Sequence, residues 1–584
     1  MVRLLGLALA VLGLLLAAPP GRAQGGFDQN GVLFVHGFVG SGAQFESQKM
    51  RFMSNGYPDG WITVIDYDST FATESRQQVF ARIDQLVAEL QQRTGRPKVD
   101  ILGHSLGTSV MQEYLNSSPE GAANVEHYVN IDGQQAEAPP GGVPTLAVWA
   151  GRGTPGRRIE GARNVTLANQ THVQAATSAE AFVEYYRFFA GKAPAHDIVP
   201  EAGPITIAGR ALVFPQNRGV PAGVTLEIWP VDAATGQRTA GEPVARIDLG
   251  ESGDFGPVRV ETGKRYEFVL LRPGVATLHY YYEPFVRSDH LIRLPYSDAV
   301  EAAVQRSERH VSGLIIRYKE LWGDEGSQSD VLTLNGTNVC TPVLCPTSKQ
   351  VNALFFYDRG LDGQTDLSSP DPAFSRLPFI TGVDIFLPAA RPPNGTVSAS
   401  LRSRGAGPVR SLSFPNFPST AEGAVLQFND FEQPVGGPAC LPRRLAVRGG
   451  RIGPARLGVA YRAVAQRYRA ARVGPRFTRF CVRGRGRFLV AARKGRIDFI
   501  ATTARGHRSR RYGPGRRIRR ARSAGLRRIR RGLMVGGRLG RARVLYGVRA
   551  GRIRFVAVVP RGQVTRKRAL VRRLRAAGLL RAGR

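Results

Sequence analysis

From residue 27 to 192 the chain alternates short apolar runs with segments whose apolar residues recur at helical spacing. GVLFVHG (31–37), ITVIDYD (62–68), VDILGHS (99–105), VEHYVNIDG (125–133) and TLAVWAGRG (145–153) read as strands. The clearest helix is SRQQVFARIDQLVAELQQRTG (75–95), where Val79, Ile83, Leu86, Val87 and Leu90 form one stripe and Gly95 offers a stop. Strands separated by helices pair in parallel through right-handed crossovers, which predicts a doubly wound, mostly parallel α/β sheet.

Near Pro204 the rhythm changes to short β-branched and aromatic strands with turn residues between them. ITIAGRALVF, VTLEIWPVD, YEFVLLRP and ATLHYYYEPF predict a β-sandwich-like domain over 204–310, and LIIRYKELW, VNALFFYD and VDIFLPA a second over 312–432. The aromatic run at His279, Tyr280, Tyr281 and Tyr282 reads as a strand with one buried face or as a lipid- or polymer-contacting patch. The segment 440–584 carries an imperfect repeat. Gly495-Arg-Ile-Asp-Phe-Ile-Ala recurs as Gly551-Arg-Ile-Arg-Phe-Val-Ala, and Gly453-Pro454 as Gly513-Pro514, each unit combining a helical stretch such as LGVAYRAVAQRYR with a hairpin-like one. This predicts a folded basic α+β domain.

Charge divides the chain sharply. Of 81 Lys and Arg, 45 fall within 440–584 against a single acid there, Asp498, so a +44 segment follows a body of net charge −8. The runs RRIRRARSAGLRRIRR (516–531) and TRKRALVRRLRAAGLLR (565–581) suit anionic surfaces such as cell-wall polymers, phospholipid head groups or extracellular nucleic acid. No specific nucleic-acid role is expected, because no nucleic-acid fold signature is visible.

Residues 1–23 have the layout of a Sec-type signal peptide, with Arg3, an apolar run too short for a membrane span, and a small residue at Ala23. The expected destination is extracellular or cell-surface-associated. Four cysteines agree with an oxidising compartment, and of three connectivities the local pairs Cys340 with Cys345 and Cys440 with Cys481 are favoured. Zinc spacings are missing and no calcium loop is recognisable, so neither metal nor cofactor is expected. Oligomeric state is not legible.

Candidate chemistry lies in the first domain, 24–195. GHSLG places Ser105 in a G-x-S-x-G pattern between the strand VDIL and the helix LGTSVMQEYL, the setting of a nucleophile elbow. A serine hydroxyl needs a base, and the base an orienting acid. His172, between the strand NVTLA and a terminal amphipathic helix, is the expected base; His196 in the Pro- and Ala-rich linker is the runner-up, and His127 reads as a sheet-face residue. Asp132 ends the strand YVNID at the carboxyl edge where open α/β sheets place their chemistry, with Glu160 the alternative acid. The oxyanion hole should use the N–H groups of Leu106 and, from the loop after the first strand, Phe38; His36 beside it reads as a hydrogen-bonded loop residue.

HGFVGSGAQF, VDILGHSLG, NIDG and THVQ, in that order, resemble the secreted microbial lipases and esterases of the α/β-hydrolase fold. The likeness is strongest to small-core lipases that carry the acid on the earlier strand and add C-terminal β-domains, and the tail resembles arginine-rich domains on some exported actinobacterial hydrolases. The resemblance implies ester hydrolysis, with lipids the leading substrates, by Ser105, His172 and Asp132 with Phe38 and Leu106 as oxyanion donors. Two other readings stay open: an esterase on polyesters or small soluble esters, and a surface-binding protein with an inactive hydrolase-like domain. Only 68–76 and 134–142 could form a lid, which predicts a shallow, open site.

Overall fold

The computed structural model describes residues 28–432 except 406, and most of 440–580; 462–463, 465–467, 469, 474–475, 510–511, 519–525, 531 and 540–541 lie outside the described set. The expected signal peptide therefore falls outside the described residues, as do six of the thirteen residues of the expected helix at 457–469. The chain divides into two compact units, one ending at Phe431 and one beginning at Glu432. No helix among the described residues is long and apolar enough to cross a membrane.

The first unit opens with six strands, β1 (Gly31–Val35), β2 (Ile62–Ile65), β3 (Val99–His104), β4 (Val125–Ile131), β5 (Thr145–Ala150) and β6 (Arg163–Leu167). They form one parallel sheet in the order β2-β1-β3-β4-β5-β6. On one face lie α1 (Glu46–Ser54) and, near the end of the domain, the helix Ala179–Ala190; on the other lie α2 (Arg76–Thr94) and α3 (Leu106–Ser117). α2 shows how sequence sets its bounds: Ser75 and Gln78 form a reciprocal capping box, and Gly95, at φ 68°, closes the C-terminus in the left-handed region. Val79, Ile83, Val87 and Leu90 point into the sheet and are fully or almost fully buried.

The two β-rich stretches are built around one shared sheet. Eight strands run in the order 380–384, 353–357, 313–316, 422–427, 277–282, 265–271, 225–231 and 245–248. The joint is a parallel pairing of Thr277–Tyr282 with Glu422–Gln427, bringing together segments far apart in sequence. A four-stranded sheet packs on one half through Leu332, Leu401 and Phe414, and a three-stranded sheet on the other through Ile207 and Ile292. The aromatic run consequently sits on a central strand: Tyr281 enters one core, Tyr280 and Tyr282 the other, and all three are buried. Each hydroxyl is satisfied internally, on Pro295 O, Glu267 Oε1 and Arg293 O, so the three tyrosines do not form a patch open to a lipid or polymer.

This β-structure docks on the α/β core. Arg293 reaches Asp66 at 2.8 Å, where burial pushes the carboxyl up but the guanidinium, with His36 and the Gly42 N–H, more than offsets it and brings it down to about 2. Asn217 donates to Gly40 O and Tyr67 O, propping the loop after β1.

In the second unit the repeat becomes a near-twofold sheet. Hairpins Phe488–Arg493/Arg496–Thr502 and Ala542–Arg549/Arg552–Pro560 meet at its centre, where Ala501 pairs with Ala557, its counterpart in the repeat. Both hairpins carry a bulge at the matching place, Ala491/Ala492 and Gly547/Val548. Cys440 is bonded to Cys481. Cys340 and Cys345, expected to pair, are instead free and buried; they interact as thiols within an apolar core that pushes the Cys345 thiol well up.

Candidate active site

β3 delivers Ser105 to a sharp turn at φ 55°, ψ −123°, a conformation that L-residues rarely hold, and α3 starts at the next residue. Ser105 N–H donates to Ile131 O at 3.0 Å, and Thr108 holds the Ser105 carbonyl through its N–H and its hydroxyl, at 2.9 and 2.7 Å. The turn closes only because of its glycines. A Cβ on Gly107 would stand 2.5 Å from both Val35 O and His36 O, and one on Gly37 would stand 2.7 Å from Ser105 Cβ.

Asp132 follows β4 with φ 44°. Its Oδ2 accepts from His172 Nδ1 at 2.7 Å, and its Oδ1 accepts from Ala150 N–H at 2.8 Å and from Arg157 Nη2. Burial pushes this carboxyl up, but His172, the Ala150 N–H and the Arg157 guanidinium together leave it below the usual carboxylate range. Glu160, the alternative acid, pairs with Arg158 at 2.6 Å with nearly half its side chain exposed. His127 binds Asp100 at 2.8 Å on the sheet face, and His196 lies in the linker, its N–H on Asn55. His36 stacks on Tyr67 and contacts Gly37 O at 2.8 Å, with burial lowering its pKa.

The Phe38 and Leu106 N–H groups have no backbone acceptor among the described residues. Phe38, Gly37, Ser105 and His172 line one cavity of about 1390 Å³, counted with its open mouth. The cavity is not shallow. Its far walls come from the β-structure, with Leu278, Leu314, Ile316, Phe355, Ile380 and Val425 among the apolar lining, while 297–306 borders it from another side. Neither 68–76 nor 134–142, the segments expected as lids, lines it. Phe379, at φ 64°, lies parallel to the His172 ring at 6.3 Å.

Two contributors carried no signal in the sequence. Arg157, stacked over Trp149, lies in the unpatterned loop between β5 and β6, yet it reaches the Asp132 carboxylate. His104 contacts the His172 carbonyl through Nε2 at 3.1 Å and Gln44 Nε2 through Nδ1 at 2.6 Å. Nδ1 therefore accepts and Nε2 donates, and burial first, then the nearby His172 charge, lowers the His104 pKa to about 3, leaving a neutral ring. Among the described residues no group of three or more His, Cys, Asp or Glu is arranged to hold a metal.

Residues 29–129 match the family described as lipase (class 2), residues 203–299 the lipase C-terminal domain, and residues 299–432 a further C-terminal-domain family. Among solved structures the chain is similar to lipase B of Aspergillus fumigatus, at 12% identity over 31% of this chain and 56% of that one, TM-score 0.24. It is also similar to a phospholipase of Legionella pneumophila, PlaB, at 10% identity over 46% and 93%, TM-score 0.21. A Listeria innocua protein aligns at 12% identity over 30% and 98%, TM-score 0.23. The chain thus spans little more than half the length of the Aspergillus lipase.

Proposed function

We propose, from the premise that this chain is a lipase-type hydrolase of the α/β-hydrolase fold, that it is an exported serine ester hydrolase acting on acylglycerols. The observation that carries the reading is the 2.7 Å contact of His172 Nδ1 with Asp132 Oδ2 beside the strained Ser105, at one end of an apolar cavity. The Asp132 carboxylate holds the imidazole with its proton on Nδ1, which leaves Nε2 basic. Ser105 Oγ attacks the acyl carbon as its proton passes to His172 Nε2. The carbonyl oxygen gathers charge at the Phe38 and Leu106 N–H groups, each such donor supplying about 100- to 1,000-fold in rate. Collapse expels the alcohol, protonated by His172, and leaves an acyl-serine; water, deprotonated by the same histidine, then releases the acid and restores Ser105.

The apolar cavity walls favour a fatty acyl chain over a polar acid. The apolar leader sequence and the Cys440–Cys481 bond support export. Purified chain should hydrolyse p-nitrophenyl butyrate and emulsified triacylglycerol, and a fluorophosphonate should label Ser105. Ser105→Ala should abolish both. A folded chain whose serine takes no label would instead support the inactive, surface-binding reading, and hydrolysis of soluble esters or polyesters without any of acylglycerols would reassign the substrate.

A further inference from the structure

The loop that carries His172 is held from outside the α/β core. Glu320, in the second β-rich stretch, is completely buried, and its carboxylate meets the backbone on the C-terminal side of the histidine and a side chain on the N-terminal side. Oε1 accepts from Val173 N–H at 2.6 Å, and Oε2 from Gln174 N–H at 3.2 Å and from the Thr171 hydroxyl. His172 therefore stands between two residues fixed to one carboxylate. A second tie follows five residues after His172, where Thr177 Oγ1 donates to Tyr318 O at 2.9 Å.

A clamp positions only if it is itself rigid. Arg317, with no exposed surface, donates to Lys319 O at 2.6 Å and Glu320 O at 2.7 Å and pairs with buried Asp330 at 3.0 Å. Asp330 also accepts from Trp322 N–H and Arg404 N–H, both at 2.9 Å. The 317–322 segment is thus pinned at its start, its middle and its end. Such a buried ionic network is a weak source of stability, so its presence calls for another reason, and orienting Glu320 supplies one.

Resting on the triad reading above, we propose that Glu320 is a positioning residue for the His172 base, so that the β-structure is part of the catalytic apparatus. The physical need is plain: the imidazole must keep Nδ1 on Asp132 while Nε2 faces Ser105, and a misplacement of about 1 Å can cost roughly 100-fold in turnover. His104 holds the His172 carbonyl from the core side. Glu320 holds the flanking groups from the β side.

The test uses the full-length chain with Glu320→Ala and Glu320→Gln, reading kcat and KM on p-nitrophenyl butyrate, the fluorophosphonate inactivation rate at Ser105, and folding by circular dichroism. Glu320→Ala should lower kcat about 10- to 100-fold with KM changed less than about twofold, and should slow inactivation in step. Glu320→Gln keeps the shape and one acceptor oxygen, so it should fold and lie between wild type and Ala. If Glu320→Ala does not fold, the Gln variant decides alone. Folded variants with wild-type kcat overturn the proposal, and so does a loss confined to KM, which would make Glu320 a pocket residue. A wild-type chain that is not labelled overturns the triad reading and this proposal together; a labelled wild type with equally fast-labelled variants overturns this one only.

Discussion

As the acid of the proposed triad, Asp132 must stay ionised while buried, and it is only 3% exposed. Three donors make that possible, one of them the Arg157 guanidinium. Because its folded pKa lies below the unfolded value of about 3.9, its stabilising contribution is present above that pH and is lost as pH falls through the folded value. Asp132→Asn preserves shape but favours the wrong imidazole tautomer, so kcat should fall by about 10⁴. Glu160→Gln, at an exposed pair with Arg158, should stay within about twofold of wild type. Steady-state kinetics of the two variants checks both, and the opposite ranking would move the role to Glu160. Ser105, His172 and Asp132 stand out in the sequence as candidates because each sits at a strand end or in a short motif. Arg157 and Glu320 could not: an arginine in a glycine-rich loop and a glutamate 147 residues beyond its Val173 partner acquire meaning only from the tertiary contact.

At the level of elements, the elbow depends on how closely α3 approaches β1. A Cβ on Gly107 would stand 2.5 Å from two carbonyl oxygens, backbone atoms that cannot swing aside as a side chain would. Gly107→Ala should therefore destabilise the core by about 1 to 3 kcal/mol or more and displace the Leu106 N–H. Thermal denaturation together with the Ser105 labelling rate reads both effects; an alanine variant with unchanged melting and labelling would show that α3 can shift freely. The strand, turn and helix of the elbow follow from local pattern, as do the caps of α2, because those signals lie within a few residues of one another. The β-region is different. Its strands are readable from β-branched alternation, but the parallel joint between 277–282 and 422–427 depends on which buried faces meet, and periodicity carries no information about that. The same gap hid the walls of the cavity, which come from strands on that shared sheet.

At the level of the whole molecule, the basic unit presents a charge problem that it does not solve internally. Asp498, the one acid within 440–584, is bound by Arg573 and stands against 45 Lys and Arg in that segment. Arg487, Arg505, Arg516, Arg517, Arg549 and Arg552 line a single groove of the unit, and the near-twofold sheet beneath them gives that groove a folded base. Crowded guanidiniums raise the local potential and favour polyanions, with bidentate hydrogen bonding to phosphate as the specific gain. An anionic surface is accordingly the partner this unit is expected to hold, through contacts that salt screens. Removing everything after residue 439 leaves the first compact unit whole and breaks no disulfide, since both Cys440 and Cys481 go together. The truncated chain should lose retention on vesicles containing anionic phospholipid while its kcat/KM on p-nitrophenyl butyrate stays within about twofold of the full chain. Full-length retention should fall steeply as ionic strength rises toward about 1 M, where the screening length shrinks to about 3 Å. Retention that survives the truncation would remove the surface-binding role from the basic unit and place it on the first unit, beside the cavity.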